Sequence, residues 1–250
     1  MDIAEGKYIS FIDSDDEILP GMYENLISLM QKNDLDIISC LANIMKRGKV
    51  KNAKCTDEKL NIYNYDEGVE RCIDKDEASV WSKIYNRNLF DDVRFPEGRV
   101  FEDTAIIFKL YDRAKKVGWL NKAYYNYYFN PESISKNAFN PKARYDMVLA
   151  RKEVFEFATE RRLRCVHKTK SWYVKSLLYC LTAIYASNND EQRRKYFPLV
   201  SEQILKYRDI ISYKYLNPKY KLFLYCFGKF DFIHKFGAEL SSLHKLIKRL

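Results

Sequence analysis

Glycine and proline are scarce, with eight and six in 250 residues. That scarcity excludes collagen-like, linker-like and loop-dominated chains, which need many of both. The three histidines, His167, His234 and His244, are far apart in the back of the chain, so no histidine metal centre or catalytic triad is visible. The six cysteines are scattered without a C-x-x-C pair, which removes the usual zinc and disulfide-framework patterns. Cys180 and Cys226 lie in apolar runs and read as buried thiols, and a reducing cytoplasm is the expected setting. No apolar run nears the roughly 20 residues that span a bilayer. The first residues include Asp2 and Glu5 and lack the basic-then-apolar pattern of a signal peptide. Neither a Walker loop nor a G-x-G-x-x-G turn is present.

What the chain does have is apolar and aromatic material, 47% and 15% of its residues, enough for a well-packed core. Its charge is uneven. Residues 1–140 carry 20 Lys and Arg against 24 Asp and Glu, a net of −4, whereas residues 141–250 carry 23 against 10, a net of +13. An acidic front and a basic back predict two regions, 1–140 and 141–250. Basic surface attracts phosphate, in nucleic acid or in anionic lipid.

Gly6 predicts the end of a short helical turn. A strand is expected over 7–12 and a helix over 21–33, the latter with Met22, Leu26, Leu29 and Met30 at helical spacing. Further strands are expected over 36–42, 79–85, 116–119 and 123–129, with a helix from Glu102 to about residue 114. From Pro141 onward the pattern is helical, and 172–186 is apolar nearly all round, as in a helix buried between others. Strands alternating with helices, then helices alone, predict an α/β domain with a mixed sheet followed by an α-helical region.

The first predicted strand ends in Phe11-Ile12-Asp13-Ser14-Asp15-Asp16-Glu17. Carboxylates this close repel one another unless something positive compensates. Ligands of open α/β sheets bind beyond the carboxyl ends of the strands, and Asp13 and Asp15 occupy that place. Carboxylates at i and i+2 on a turn suit one hard divalent cation and, through it, a diphosphate. The local alternative is that Asp and Ser simply favour turns and helix starts.

The stretch YISFIDSDDEILPGMYENL resembles the strand and D-x-D segment of family-2 glycosyltransferases of the GT-A fold, the bacterial polysaccharide type. Val80–Phe90 (VWSKIYNRNLF), then Val93–Gly98 and Glu102-Asp103-Thr104, resemble that family's "KLY-x-x-x-LF … F-x-E-G … ED" series. Tyr124–Tyr128 followed by Ser133-Ile134-Ser135 is similar to its "Y-x-Y … SIS" ending. The resemblance covers about residues 2–137. It implies a partial GT-A mixed sheet with a helical tail, and an enzyme that moves sugar from a UDP- or GDP-linked donor to a glycan or lipid-linked glycan acceptor. It also implies inverting chemistry and a Mn²⁺ or Mg²⁺ cofactor held by Asp15, with Asp13 facing the ribose or a metal-bound water. Asp103 is the expected general base, with Glu102 as the alternative. As plain helix-start acids, the two would only complement the helix dipole. Lys83 is expected to contact donor phosphates or else to cap a turn, and Trp81 to stack on sugar or else to sit in the core.

The family pattern starts with a strand–helix–strand unit upstream of the segment matched here, so weak donor binding by these residues alone is expected. The segment Tyr220–Leu250 interleaves aromatics with Lys and Arg, which suits peripheral contact with a membrane face or, equally, a solvated basic helix. No specific nucleic-acid motif is present. Two other functions compete. A phosphohydrolase with Asp13 as nucleophile wants Thr or Val where Glu17 stands. A non-catalytic interaction or lipid-binding fragment would need neither acid pair.

Overall fold

The computed structural model describes residues 1, 3–46, 49–50, 57–130, 140–207, 218 and 220–221. The expected "SIS" segment and most of the basic tail therefore lie outside the described residues. The contact pattern divides the chain into two compact units. One comprises Met1–Pro96 with Ile106–Pro131, and the other Glu97–Ala105 with Glu132–Leu250.

The first unit is built on a mixed sheet. Its strands are β1 (Tyr8–Ser10), β2 (Glu17–Ile18), β3 (Ile37–Lys46), β4 (Lys49–Val50), β5 (Leu60–Asn64), β6 (Lys83–Asn86) and β7 (Lys116–Tyr128). The order is β1-β6-β3-β7-β2, with β4 added to β3 and β5 to β7. β3 and β7 run parallel, and the other pairings are antiparallel. Because two antiparallel steps lead from β1 to β3, strands β1, β3 and β7 share one direction. Their carboxyl ends therefore face the same way. Asp36 ties the opposite ends together: its carboxylate accepts from Asn86 Nδ2 at 2.9 Å and from the Lys115 N–H at 2.7 Å.

Helix α1 (Met22–Asn33) buries Met22, Leu26 and Met30 against Ile38, Cys40, Ile84 and Leu120, the stripe its sequence predicts. Several elements differ from expectation: the strand expected over 79–85 is β6, confined to Lys83–Asn86, and β5 lies where no strand was expected. Lys116–Tyr128 form one long strand instead of the two short ones expected over 116–119 and 123–129. Its pairing with β3 slips between Cys40 and Ala42, and these bulges around Asn121 and Tyr124 interrupt the alternation that would mark a single strand. Helix α2 (Tyr65–Asp74) lies where no helix was expected, and it carries Gly68 in its first half. The structure explains the glycine: a Cβ there would lie 2.7 Å from Val117 Cγ2, so α2 approaches β7 closely only without one.

Helix α3 (Glu102–Arg113) buries Leu110 and Tyr111 in the first unit, where the Tyr111 ring stacks on Trp119 at 5.3 Å. The second unit contains α4 (Pro141–Glu160), α5 (Val166–Ala186) and α6 (Asp190–Lys206). Its core gathers Val148, Tyr173, Leu177, Leu181, Val200 and Ile204, and α5 is buried along most of its length as its apolar sequence predicts.

The four described cysteines, Cys40, Cys72, Cys165 and Cys180, are free and buried. Burial pushes the Cys40 thiol up to about 11 and the Cys180 thiol up to about 12. Thiolates are the reactive species. These four are expected to resist iodoacetamide in the native chain at about pH 8 and to react fully in urea, as peptide mass mapping would record.

Candidate functional site

β1 and β2 stand at opposite ends of the strand order. Residues 11–16 must therefore cross the sheet at the end where β1, β3 and β7 finish, and ligands of such sheets bind beyond strand carboxyl ends. Phe11 anchors the start of this crossing. It bridges to Trp81, and its ring packs at 5.4 Å from Phe95 and 5.8 Å from Phe90. A turn follows, closed by the Asp16 N–H donating to the Asp13 carbonyl at 3.1 Å.

The four acids then separate into two kinds. Asp16 is held on both oxygens: Tyr125 Oη donates to one at 2.8 Å and the Tyr128 N–H to the other at 2.8 Å. Glu17 accepts from Asn126 Nδ2 at 3.0 Å and Tyr128 Oη at 3.2 Å. Asn126 is fixed in turn by Asn43 at 2.9 Å. Asp16 and Glu17 thus lash the turn to β7. Asp13 and Asp15 are exposed. Among the described residues no hydrogen bond or ion pair reaches the Asp15 carboxylate, and no lysine or arginine pairs with Asp16 or Glu17.

Tyr125 is the centre of this arrangement. Its side chain is fully buried, its hydroxyl accepts from the Asp13 N–H at 3.2 Å, and it donates to Asp16. Burial above all, then the bond to Asp16, holds its phenol far above the ordinary tyrosine range, so the donating proton stays in place. Neighbouring Tyr127 is raised too, first by burial and then by the negative field of Asp16, Asp15 and Asp13. Hydrogen bonds to charged acceptors contribute about 1.5–3 kcal/mol. Tyr125→Phe is therefore expected to cost about 2 kcal/mol of stability, read as a lower urea midpoint, with the secondary structure retained.

Trp81 faces the same tyrosines. Its half-buried ring stacks on Tyr125 at 4.8 Å and 18° and on Tyr127 at 5.4 Å and 11°. The loop that presents it is tightly held. Ser82 follows at φ 57, a left-handed conformation, and its carbonyl accepts from the Cys40 N–H at 3.0 Å. Lys83 is 1% exposed. Its ammonium donates to the Ser79 carbonyl at 2.9 Å and Ser79 Oγ at 3.3 Å, and pairs with Glu77 at 3.5 Å. Of the two roles the sequence leaves open for Lys83, these bonds belong to the turn-capping one.

Glu102 and Asp103 occupy the first turn of α3, in the part of the chain grouped with the second unit. Glu102 is exposed and Asp103 half-buried, with Asp103 Oδ1 accepting from the Thr104 N–H at 2.6 Å. The preceding residue, Phe101, has φ 62, a strained state for a residue with a Cβ. Three contacts to α4 hold the loop that leads there. Asp146, buried, accepts from the Val100 N–H at 3.1 Å, Lys142 donates to the Gly98 carbonyl at 2.8 Å, and Arg99 pairs with Glu153 at 2.7 Å. Strain before an acid pair, on a loop pinned at three points, marks a placed feature.

The structure thus brings Asp13, Asp15 and Trp81 to one region around Tyr125, with Lys83 beneath the loop. Sequence reasoning missed Tyr125, Tyr127 and Asp146. The available signal was the tyrosine repeat Tyr124-Tyr125-Asn126-Tyr127-Tyr128 with a polar residue at its centre. A cleft of about 260 Å³ lined by Ile9, Arg87, Asp91 and Arg94 contains none of Asp13, Asp15, Trp81, Lys83, Glu102 and Asp103. Among the described residues no three His, Cys, Asp or Glu side chains gather closely enough to hold a metal ion by themselves.

Residues 1–94 match the family model described as glycosyl transferase family 2. The chain is 27% identical over 167 residues to the glycosyltransferase GlyG of Streptococcus pneumoniae, covering 59% of this chain and 52% of that protein. It is 24% identical over 144 residues to the uncharacterized glycosyltransferase YibD of Escherichia coli, covering 54% and 42%. The chain spans about half the length of the curated relatives it matches. In three dimensions it resembles the crystal structure of S. aureus TarS 1-349 in complex with UDP-GlcNAc, with a TM-score of 0.57 and 18% identity over 90% of this chain and 64% of that one.

Proposed function

We propose that this chain, a family-2 glycosyltransferase sequence over residues 1–94 on a GT-A fold, transfers sugar from a nucleotide-diphosphate donor to the hydroxyl of a bacterial glycan, with lipid-linked glycans among the acceptors. The observation that carries this reading is the division of labour among the acids. Asp16 and Glu17 are consumed in fixing the turn, and Asp13 and Asp15 are left exposed beyond the carboxyl ends of the strands. The neighbour that holds UDP-GlcNAc supports a UDP-linked donor as the first to try.

Two hard carboxylates, with no third protein ligand among the described residues, fit a Mg²⁺ or Mn²⁺ ion that completes its shell with substrate phosphates and water. Asp15, with Asp13, would hold it. When bound, such an ion supplies Lewis-acid stabilisation of charge gathering on the leaving diphosphate. The protein's own part is placement. Tyr125 and the Tyr128 N–H keep the turn closed, so Asp13 and Asp15 meet a ligand without first being ordered. Trp81 lays an aromatic surface beside the acids, suited to a base or sugar ring. We assign proton removal from the acceptor hydroxyl to Asp103, with Glu102 as the alternative, on a helix start whose loop is pinned and strained. Inversion at the sugar carbon follows if the acceptor attacks directly, without a covalent enzyme intermediate.

Calorimetric titration of the chain with UDP and with GDP, each with and without Mn²⁺, tests the donor half. Metal-dependent heat with one nucleotide is the expected result. Equal binding without metal would remove the role given to Asp13 and Asp15.

A further inference from the structure

The stretch 46–54 carries five Lys and Arg and no Asp or Glu, in a front half that is acidic overall. Its described cations, Lys46 and Lys49, are exposed and stand directly opposite each other where β3 pairs with β4. Cross-strand partners share a face and lie about 5 Å apart at Cβ, so like charges there repel. Among the described residues neither ammonium meets a carboxylate, and Lys46 Nζ lies 4.7 Å over the exposed Phe129 ring.

Strand register places this pair beside the acid turn. Ile44 pairs with Tyr127 and Met45 with Tyr128, and the Phe129 N–H continues the ladder by donating to the Met45 carbonyl at 2.9 Å. Side chains two apart on a strand share a face, so Tyr125, Tyr127 and Phe129 form one row along the end of β7. Trp81 stacks on the first two, and Lys46 covers the third. The acids reach the same row from its other end: the Asp13 N–H donates to Tyr125 Oη, and Tyr127 lies in the field of Asp16, Asp15 and Asp13. From Tyr127 to Phe129 the strand advances about 7 Å. A group of carboxylates and a pair of ammonium groups thus stand at the two ends of one short aromatic row, all within the first unit.

Charge balance says what fits between them. A divalent ion offsets two of the four carboxylates at the turn and leaves the diphosphate it carries without a counter-charge. Lys83, near Trp81, has its ammonium committed to Ser79 and Glu77. A neutral ligand would leave Lys46 and Lys49 repelling each other, and a cation would add to the repulsion. A diphosphate has oxygens on both phosphorus atoms, so it can meet an ion on one side and ammonium groups on the other. We propose that Lys46 and Lys49 are the cationic half of the donor site and hold the diphosphate whose other side meets the ion at Asp13 and Asp15. The inference rests on the donor reading above and names the residues that make the site prefer a diphosphate to a monophosphate. The same two charges offset the negative charge that gathers on the diphosphate as the sugar leaves.

The test separates the ion from the phosphate. Mn²⁺ alone is titrated into the full chain and its free concentration read by electron paramagnetic resonance. Pyrophosphate, UDP and UMP are then titrated calorimetrically, with and without Mn²⁺. In Lys46→Gln/Lys49→Gln, Mn²⁺ alone is expected to bind as in the parent chain or slightly tighter, because two positive charges near the acids are gone. Pyrophosphate and UDP are expected to bind about fivefold more weakly or worse, and UMP to change little. The substitutions relieve a like-charge pair, so the urea midpoint should hold. Should it fall, Lys49→Gln alone keeps Lys46 on Phe129 and is expected to lose part of the same affinity. Unchanged binding of pyrophosphate and UDP by a folded variant overturns the inference and leaves the metal reading, which Asp15→Ala tests by itself. Weaker UDP binding in the variant, with no dependence on Mn²⁺ in either chain, sustains the lysine site and removes the acid one. A loss for heparin as large as for pyrophosphate overturns the inference too, because it would identify a general polyanion surface. No binding of pyrophosphate or UDP to the parent chain does the same, and Mn²⁺ binding then says whether the acid site stands alone.

Discussion

Asp15→Ala is expected to abolish Mn²⁺-dependent binding of the nucleotide diphosphate and to leave the unfolding midpoint where it was. The two halves of that expectation come from one observation. Asp15 is exposed and, among the described residues, nothing bonds its carboxylate, so the fold loses no interaction with it. Substitutions at such positions usually fall within about 0.5 kcal/mol. A diphosphate bridged by a cation on the proposed Asp13 and Asp15 ligands would, by contrast, lose one of the two. Metal stabilisation of developing phosphate charge amounts to several kcal/mol, and each 1.4 kcal/mol is about tenfold, so a loss of about a hundredfold or more is expected in binding and in any transfer rate.

Asp16→Ala is the control that separates placement from contact. It removes the acceptor of Tyr125 Oη and of the Tyr128 N–H together, and leaves both donors without their partner. The unpaired Tyr125 hydroxyl, on a buried ring, costs about 1–3 kcal/mol, whereas the Tyr128 N–H is exposed and recovers water. That variant should therefore lose stability and binding at once. If Asp15→Ala binds nucleotide and metal as tightly as the parent chain, the metal-holding role falls. If it melts several degrees lower instead, the turn depends on Asp15 for its shape.

How far the sequence could be read follows from where each signal is local. Helix α1 declares itself through Met22, Leu26 and Met30, because one amphipathic face against a sheet leaves a 3.6-residue period. The acid cluster declares itself through sheer density of like charge. What stayed hidden is nonlocal. Nothing near Asp16 in the chain says that it spends both oxygens on residues more than 100 positions away, whereas Asp15 spends none. The bulged β7 breaks its own alternation and looks like two strands until β3, β5 and β2 are laid beside it. Gly68 argues against a helix until Val117 shows what the missing Cβ makes room for. Lys83 is the sharpest case, since a lysine close in sequence to aromatic and acidic residues reads equally as a ligand contact or as a turn cap.

Lys83→Met decides between the two roles for that residue, and the larger effect is expected on stability. The side chain is 1% exposed, so its ammonium is desolvated and depends on the loop for every partner. Methionine fits the apolar stem and supplies no donor. The Ser79 carbonyl, bonded at 2.9 Å, loses its charged partner, and Glu77 loses its ion pair at 3.5 Å. Removing one member of a fully buried pair costs about 3–5 kcal/mol. Glu77 is 28% exposed and recovers water, so about 2–4 kcal/mol is the expected loss here. Lys83→Arg should not restore it, because the planar guanidinium fork is larger than the space an ammonium fills beneath Ser79. Urea unfolding followed by tryptophan fluorescence measures the loss, and nucleotide titration of the same variant measures the other role. A chain that keeps its midpoint but binds donor tens of times more weakly would make Lys83 a phosphate contact. A lower midpoint with binding preserved in the fraction still folded would make it the residue that holds the Trp81 loop over Tyr125 and Tyr127, so that the aromatic wall stands before any ligand arrives.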